Sequence, residues 1–73
     1  MKVNYFPDTD TLLVTFSDKE VIETRDLNEN VILDLDKVGG VVSLTIEHAT
    51  SQTDVTEFSF RQIPKDLSAT SSA

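Results

Sequence analysis

Short runs with an apolar residue at every second position are the feature that most constrains this fold. Thr11–Phe16, Val31–Leu35 and Val41–Glu47 all follow this pattern. A period of two places alternate side chains on opposite faces, and it favours half-buried β-strands. Residues that favour turns stand between the runs, namely Pro7-Asp8-Thr9-Asp10, Ser17-Asp18-Lys19-Glu20 and Asn28-Glu29-Asn30. The pattern therefore predicts a small antiparallel sheet.

Two further runs complete the first five predicted strands. Lys2–Phe6 is the first strand, and Val21–Leu27 is a charge-rich third strand of the kind that suits a sheet edge. The only glycines of the chain, Gly39 and Gly40, stand between two alternating runs. Because glycine adopts positive φ without penalty, this pair predicts a hairpin between Val31–Leu35 and the run that follows it.

The pattern changes after the fifth run. His48–Thr53 suits one or two helical turns laid against the sheet. Val55–Ile63 predicts a last strand, since Phe58 and Phe60 stand at strand spacing. A short helix over the same range is the alternative, because Val55 and Phe58 also fit a period of 3.6 residues.

The predicted fold class is α+β and mostly β. It is a small antiparallel β-meander sheet of about five to six strands with one short helical segment. The sheet forms one domain over residues 1–63, and residues 64–73 form a flexible polar tail rich in Ser, Thr and Ala. The chain has no cysteine, so no disulfide stabilises this fold.

The alternation assigns most apolar residues to one face of the sheet. This face carries Val3, Tyr5, Leu12, Val14, Phe16, Val31, Leu33, Leu35, Val42, Leu44, Ile46, Phe58 and Phe60. Leu13, Ile32 and Val41 fall on the opposite face. A chain of this size buries only about 60% of the surface that it exposes when unfolded. We therefore predict that these three residues form an interface and that the chain is a homodimer.

Acidic residues outnumber basic ones. Thirteen Asp and Glu stand against six Lys and Arg, which gives a net charge of −7. The basic residues are spread along the chain, so binding to nucleic acid is not expected, whereas the acidic surface suits a basic protein partner. No apolar run approaches the roughly 18–20 residues of a membrane span, and the N-terminal residues lack the apolar region of a signal peptide. The expected location is the cytoplasm.

Carboxylates occur in three pairs, which are the first candidates for a metal or acid–base site. The pairs are Asp8 with Asp10, Asp18 with Glu20, and Asp34 with Asp36. Two of the pairs lie in turns, where Asp usually bonds to the local backbone. The stretch from Asp34 also matches the opening of a calcium loop, but Val38 stands where an oxygen ligand belongs and Thr45 replaces the bidentate Glu. We predict no metal and no cofactor at these positions.

His48 is the only histidine of the chain. An imidazole metal site needs further nitrogen or sulfur ligands, so zinc is not expected. His48 as a general base beside Glu47 and Ser51 is the alternative hypothesis, which makes the chain a small-ligand-binding or enzymatic protein. A second alternative is a purely self-associating structural dimer with no other partner. The serines lack a nucleophile elbow, and the glycine pair lacks the other residues of a phosphate-binding loop. We predict no catalytic residue.

Three stretches of the chain together resemble a known family. They are Met1–Leu12, Val31–Asp36 with Gly39–Val42 after it, and Ile46–Thr50. In this order they resemble the small bacterial family known as domain of unknown function 2283, over about residues 1–63. The resemblance implies a short first strand, a turn of the Tyr-x-Pro-x-x-Asp type, an apolar second strand and a central hairpin.

The family has no established activity for the resemblance to imply. Some members look like partners of small toxins encoded beside them, which would suit an acidic interaction protein. The chain departs from the family at His48, where an acidic residue is common, and at Val38, Ser43 and Thr45. A function that depends on those acidic residues is therefore not expected here.

Overall fold

The computed structural model describes residues 1–65, and these form one antiparallel sheet followed by a single helical turn. The strands are β1 (Lys2–Phe6), β2 (Thr11–Thr15), β3 (Glu23–Asp26), β4 (Val31–Leu35) and β5 (Val41–Glu47), and the helix α1 is Ala49–Gln52. The predicted fold class, α+β and mostly β, is confirmed. The predicted tail of residues 64–73 lies outside the described residues from position 66 onward.

The last of the five strands in the described residues occupies the centre of the sheet. The strand order is β1-β2-β5-β4-β3, and every neighbouring pair is antiparallel. Two hairpins, β1–β2 and β3–β4, therefore flank β5 on either side. Ile46 of β5 is in register with Leu12 on one side and with Val31 on the other. β5 thus has both edges paired, and its alternating apolar residues join the two hairpins into one surface.

The first five predicted strands agree with the observed ones to within one residue, except at the third strand. The charge-rich run over residues 21–27 narrows to Glu23–Asp26, which pairs with β4 and forms one edge of the sheet. The predicted second strand extends one residue further than β2. The N–H of this residue, Phe16, donates to the Val42 carbonyl at 2.8 Å. The charged edge agrees with the expectation that exposed edges carry charge, because charge discourages pairing with other chains.

The predicted last strand over Val55–Ile63 is wrong, and so is its helical alternative. This range carries no helix or strand in the structure. Residues 53–58 instead line a hollow with Val3, Tyr5 and Leu12 on one face of the sheet, so they lie across a face and not along an edge. Strand spacing alone does not form a strand, because β-propensity depends on pairing with a neighbour.

A register shift interrupts the alternation at the start of β5. Asp34 pairs with Ser43 and Leu35 pairs with Val41, so Val42 is an extra residue on β5. Directly opposite residues share a face. Val41 therefore falls with Leu35, and its predicted place on the second face is wrong. A single inserted residue reverses the face of every position beyond it, and simple alternation cannot anticipate it.

The hydrophobic core of the described residues is thin. The buried hydrophobic residues are Leu35 and Val42, each 6% exposed, and Ala49, which is fully buried. None of the large side chains among residues 1–65 is fully buried. A single sheet layer buries little by itself, because a sheet face needs a second layer to exclude water.

Asp36 organises the turn between β4 and β5. Its Oδ1 accepts the N–H of Val38 at 3.0 Å and the N–H of Gly40 at 2.7 Å, and the Asp36 N–H donates to the Gly40 carbonyl. Gly39 has φ +84°, in the region that favours glycine. The predicted hairpin at the two glycines is therefore confirmed, and a side-chain carboxylate holds it closed.

We expect Gly40→Ala to destabilise the fold by about 1–3 kcal/mol. A Cβ atom at Gly40 would lie 2.7 Å from Asp36 Oδ2, so the carboxylate would have to leave the two N–H groups that it accepts. Denaturant unfolding measures the loss. Gly39→Asn is the matched control: its φ of +84° strains any side chain, but Asn tolerates positive φ better than most residues and no atom lies within 4 Å of a Cβ there, so the loss should be smaller. Equal stability of Gly40→Ala and the native chain would contradict the prediction.

Candidate interaction surfaces

The strand registers divide the sheet into two chemically different faces. The first, which we call the apolar face, carries Val3, Tyr5, Leu12, Val14, Val31, Leu33, Leu44 and Ile46. All eight of these side chains are half-buried. On β3 the same face carries Glu23 and Arg25, which form an ion pair at 2.6 Å at the sheet edge. A continuous apolar surface therefore runs from β1 to β4.

The chain itself covers the apolar face only in part. The segment after α1 surrounds a hollow together with Val3, Tyr5 and Leu12, which belong to β1 and β2. Val55 of this segment is half-buried, but Phe58 is 62% exposed. Beyond it, the larger part of the Phe60 side chain is also exposed. The β4 and β5 half of the apolar face lies outside this hollow.

The second face, which we call the acidic face, is mainly polar. It carries Lys2, Asn4, Phe6, Thr11, Leu13, Thr15, Thr24, Asp26, Ile32, Asp34, Ser43, Thr45 and Glu47. Within the described strands Lys2 is the one cation on this face, against three carboxylates. Leu13 and Ile32, two of the three predicted interface residues, lie on either side of Thr45 in one cross-strand row. Val41 is not aligned with them.

Asp34 is held in place on the acidic face by two hydroxyl groups. The Thr24 Oγ1 hydroxyl donates to Asp34 Oδ1 at 2.7 Å, and the Ser43 Oγ hydroxyl donates to Oδ2 at 2.8 Å. Ser43 is 8% exposed, so its side chain is fixed by packing. The three residues come from β3, β4 and β5, and they form a polar ladder across three strands. Asp34 and its predicted pair partner Asp36 thus have separate roles.

A second polar cluster joins the β1–β2 turn to α1 through Asp10. Tyr5 Oη donates to Asp10 Oδ1 and Thr50 Oγ1 donates to Asp10 Oδ2, both at 2.7 Å. The Thr50 N–H also donates to Oδ1, and the Ala49 N–H donates to the Asp10 carbonyl. The hydrogen bond from Tyr5, and then that from Thr50, lowers the pKa of Asp10, and the same contact raises the pKa of Tyr5. The hydrogen bonds of Asp10 therefore hold the start of α1, with the buried Ala49, against the β1–β2 turn.

His48, the residue before α1, has a left-handed backbone conformation and a hydrogen-bonded ring. Its φ is +53°, and its Nδ1 lies 2.9 Å from Asn30 Oδ1. Ser51 Oγ donates to the His48 backbone carbonyl at 2.8 Å, and Glu47 lies in β5 opposite Thr11. The three residues of the alternative hypothesis are close in sequence. In the structure, however, the Ser51 hydroxyl bonds to the His48 backbone carbonyl, and the His48 ring contacts the Asn30 side chain.

Asp10 is the structurally important residue that the sequence analysis did not single out. It entered that analysis only as the partner of Asp8, while its bonds to Thr50 cross 40 positions of sequence. The signal was present in two places, the Tyr-x-Pro-x-x-Asp turn and the Ala49-Thr50 pair. The structure shows that these two motifs are halves of one network. Among the described residues, no group of three or more His, Asp or Glu is arranged to hold a metal ion.

Comparison with known proteins gives one match. A family model described as Protein of unknown function (DUF2283) matches residues 2–49, which run from β1 to the start of α1. No curated protein and no solved structure matches the chain. Within residues 1–65, no helix has the length and apolar character needed to cross a membrane.

We expect acid to weaken the fold partly through Asp10. Because the folded-state pKa of Asp10 is lowered, its carboxylate stabilises the fold above the ordinary Asp pKa, and this contribution is lost as pH falls through the lowered value. The thermal midpoint should therefore fall less between about pH 5 and about pH 2 in Asp10→Asn than in the native chain. Asp8→Asn, the same change in the same turn, should keep the native profile. Parallel profiles for Asp10→Asn and the native chain would contradict the prediction.

Proposed function

Since the chain belongs to the DUF2283 family, whose description assigns no activity, we propose its function from its surfaces. The protein is a non-enzymatic interaction module whose acidic face binds a basic protein, in the manner of an antitoxin that masks its partner. The proposal places both proteins in the bacterial cytoplasm. One observation carries it: two aliphatic side chains, Leu13 and Ile32, lie in the middle of a sheet face whose other residues are polar or charged, apart from Phe6 on the edge strand β1.

The acidic face has the composition of a protein-binding surface. Leu13 and Ile32 are half-buried on either side of Thr45, so they offer a small apolar centre. Asp26 is directly opposite Ile32, and Asp34 is two residues along β4 from it. Interfaces commonly combine an apolar centre that loses its water with a polar rim that sets orientation.

Asp34 is suited to receive an arginine. Its two oxygens each accept one hydroxyl group, from Thr24 and Ser43. A carboxylate has about four acceptor positions, so acceptor capacity remains for the two parallel N–H groups of a guanidinium. Because the hydroxyl bonds already fix the carboxylate, little side-chain freedom is lost on binding.

The charge of the whole chain supports a basic partner. The net charge of −7 creates a negative potential that attracts a basic protein from a distance and speeds the encounter. This attraction is screened by salt beyond about 10 Å at 0.1 M ionic strength. Binding of the proposed kind therefore weakens as salt is added.

We expect neutral substitutions on the acidic face to reduce partner capture strongly. The native chain, immobilised and exposed to a lysate of its own host at low salt, should retain a basic protein that high salt releases. Asp26→Asn with Glu47→Gln should retain much less of the same protein, because it removes two rim charges. Mass spectrometry identifies and quantifies what is retained.

The control for this experiment changes the same number of charges elsewhere. Asp8→Asn with Asp18→Asn neutralises two carboxylates that lie outside the strands. It should retain the partner nearly as well as the native chain. Equal capture by the acidic-face variant and the control, or no protein retained by the native chain, would contradict the proposal.

The alternative of a small-ligand or enzymatic site around His48 makes a different prediction. Because the Nδ1 atom of His48 is engaged by Asn30, we expect the ring to act in structure and not on a ligand. Thermal shifts of the native chain and of His48→Ala in the presence of metabolite mixtures measure this. The two proteins should respond alike. A ligand that stabilises the native chain and not His48→Ala would favour the alternative.

A further inference from the structure

We propose that the apolar face packs against the apolar face of a second copy of this chain, which makes the protein a two-layered dimer. The interface contains the central row Val14, Leu44 and Leu33, together with the exposed aromatic residues that follow α1. This proposal concerns the face opposite the acidic one, so it does not rest on the proposed function. It also moves the homodimer predicted from Leu13, Ile32 and Val41 to the other side of the sheet.

The apolar face is the larger of the two uncovered apolar surfaces. It has eight half-buried apolar side chains in register across β1, β2, β5 and β4. The acidic face has only Leu13 and Ile32 near its centre, and a threonine separates them. Soluble monomers rarely expose continuous apolar patches of more than a few hundred Å², and larger patches usually mark an interaction site.

The size of the surface reaches the lower limit for a specific dimer. Five strands of about five residues, spaced about 4.8 Å apart, give a flat sheet face of roughly 400 Å². A standard interface buries about 800 Å² on each partner, so the sheet face alone is too small. Phe58 and Phe60 are 62% and 72% exposed, and each aromatic side chain buries about 150–250 Å² when covered. The half of the sheet face outside the hollow and these two residues together give about 500 Å² on each partner, which reaches the roughly 1,000 Å² in total that a specific interface needs.

The arrangement of charges agrees with a second copy as the occupant. The charged residues that the registers place on the apolar face are Glu23 and Arg25, and they neutralise each other at the β3 edge. A face with an internal ion pair and no net charge suits its own copy across a twofold axis, where each residue meets the same surface. Asp54 and Glu57 border the hollow on the β1 and β2 side, so the part of the apolar face that carries no charge is the central row Val14, Leu44 and Leu33.

Two sheets that pack through apolar faces lie about 10 Å apart, with their strands turned by about 30°. In such a sandwich the second copy completes the missing layer over β4 and β5. The segment after α1 covers the β1 and β2 side of its own sheet, and its exposed Phe58 and Phe60 are then available to the partner. The two acidic faces point outward, so the dimer offers two equal binding surfaces.

The test compares neighbouring residues of β4 that lie on opposite faces. Leu33→Glu places a charge in the proposed interface, while Ile32→Glu places the same charge on the acidic face. Both side chains are half-buried in the chain. Light scattering after size exclusion should give twice the 8.1 kDa chain mass for the native chain and Ile32→Glu, and a single chain mass for Leu33→Glu. Circular dichroism confirms that each variant is folded.

Two results would overturn the proposal. One is a native chain of single mass at NMR concentrations. The other is a dimer that Ile32→Glu dissociates and Leu33→Glu does not, which would place the contact on the acidic face. If Leu33→Glu fails to fold, measurements on the native chain decide the test. In a mixture of ¹³C-labelled and unlabelled chains, intermolecular NOEs should connect the methyl groups of Leu33 and Leu44, and their absence would also overturn the proposal.

Discussion

A single antiparallel layer has two faces and only one short segment to cover either of them, and this constraint shapes the whole molecule. The described part of the chain has no second layer, so its apolar side chains stop at half-burial across four strands. Stability must therefore come largely from sheet pairing and from side chains that tie turns to strands. The buried hydrophobic residues mark two places where the chain closes over itself: Leu35 and Val42 at the register shift, and Ala49 at the start of α1.

Two turns at the same end of the sheet form hydrogen bonds with the chain where it leaves the central strand β5. The Glu47 N–H donates to the Asn30 carbonyl, and the Ala49 N–H donates to the Asp10 carbonyl. Asn30 belongs to the turn between β3 and β4, and Asp10 belongs to the turn between β1 and β2. The chain leaving β5 thus passes between the turns of both flanking hairpins. His48 takes its left-handed conformation here, because the chain must change direction within one residue to enter α1.

Local features of the fold were predictable from the sequence, and relations between distant parts were not. Alternation and turn residues located the strands, because side-chain period and turn chemistry are properties of neighbouring residues. The central place of β5, the extra residue at Val42 and the bond from Thr50 to Asp10 depend on which strands meet. The same limit explains the error at Val55–Ile63, where the residues have strand spacing but the segment starts across a face of the sheet and pairs with no strand. Of the predicted interface residues, Leu13 and Ile32 share a face, while the register shift separates Val41 from them.

The position of β5 also has a consequence for how the protein is made. The strand that joins the two hairpins is the last of the five to leave the ribosome. Until residue 47 has emerged, β2 and β4 each expose an unpaired edge beside a partly apolar face. Hairpins without a third strand are only marginally stable in water. The nascent chain therefore passes through a stage in which its open edges can pair with other chains, and completion of β5 ends that stage.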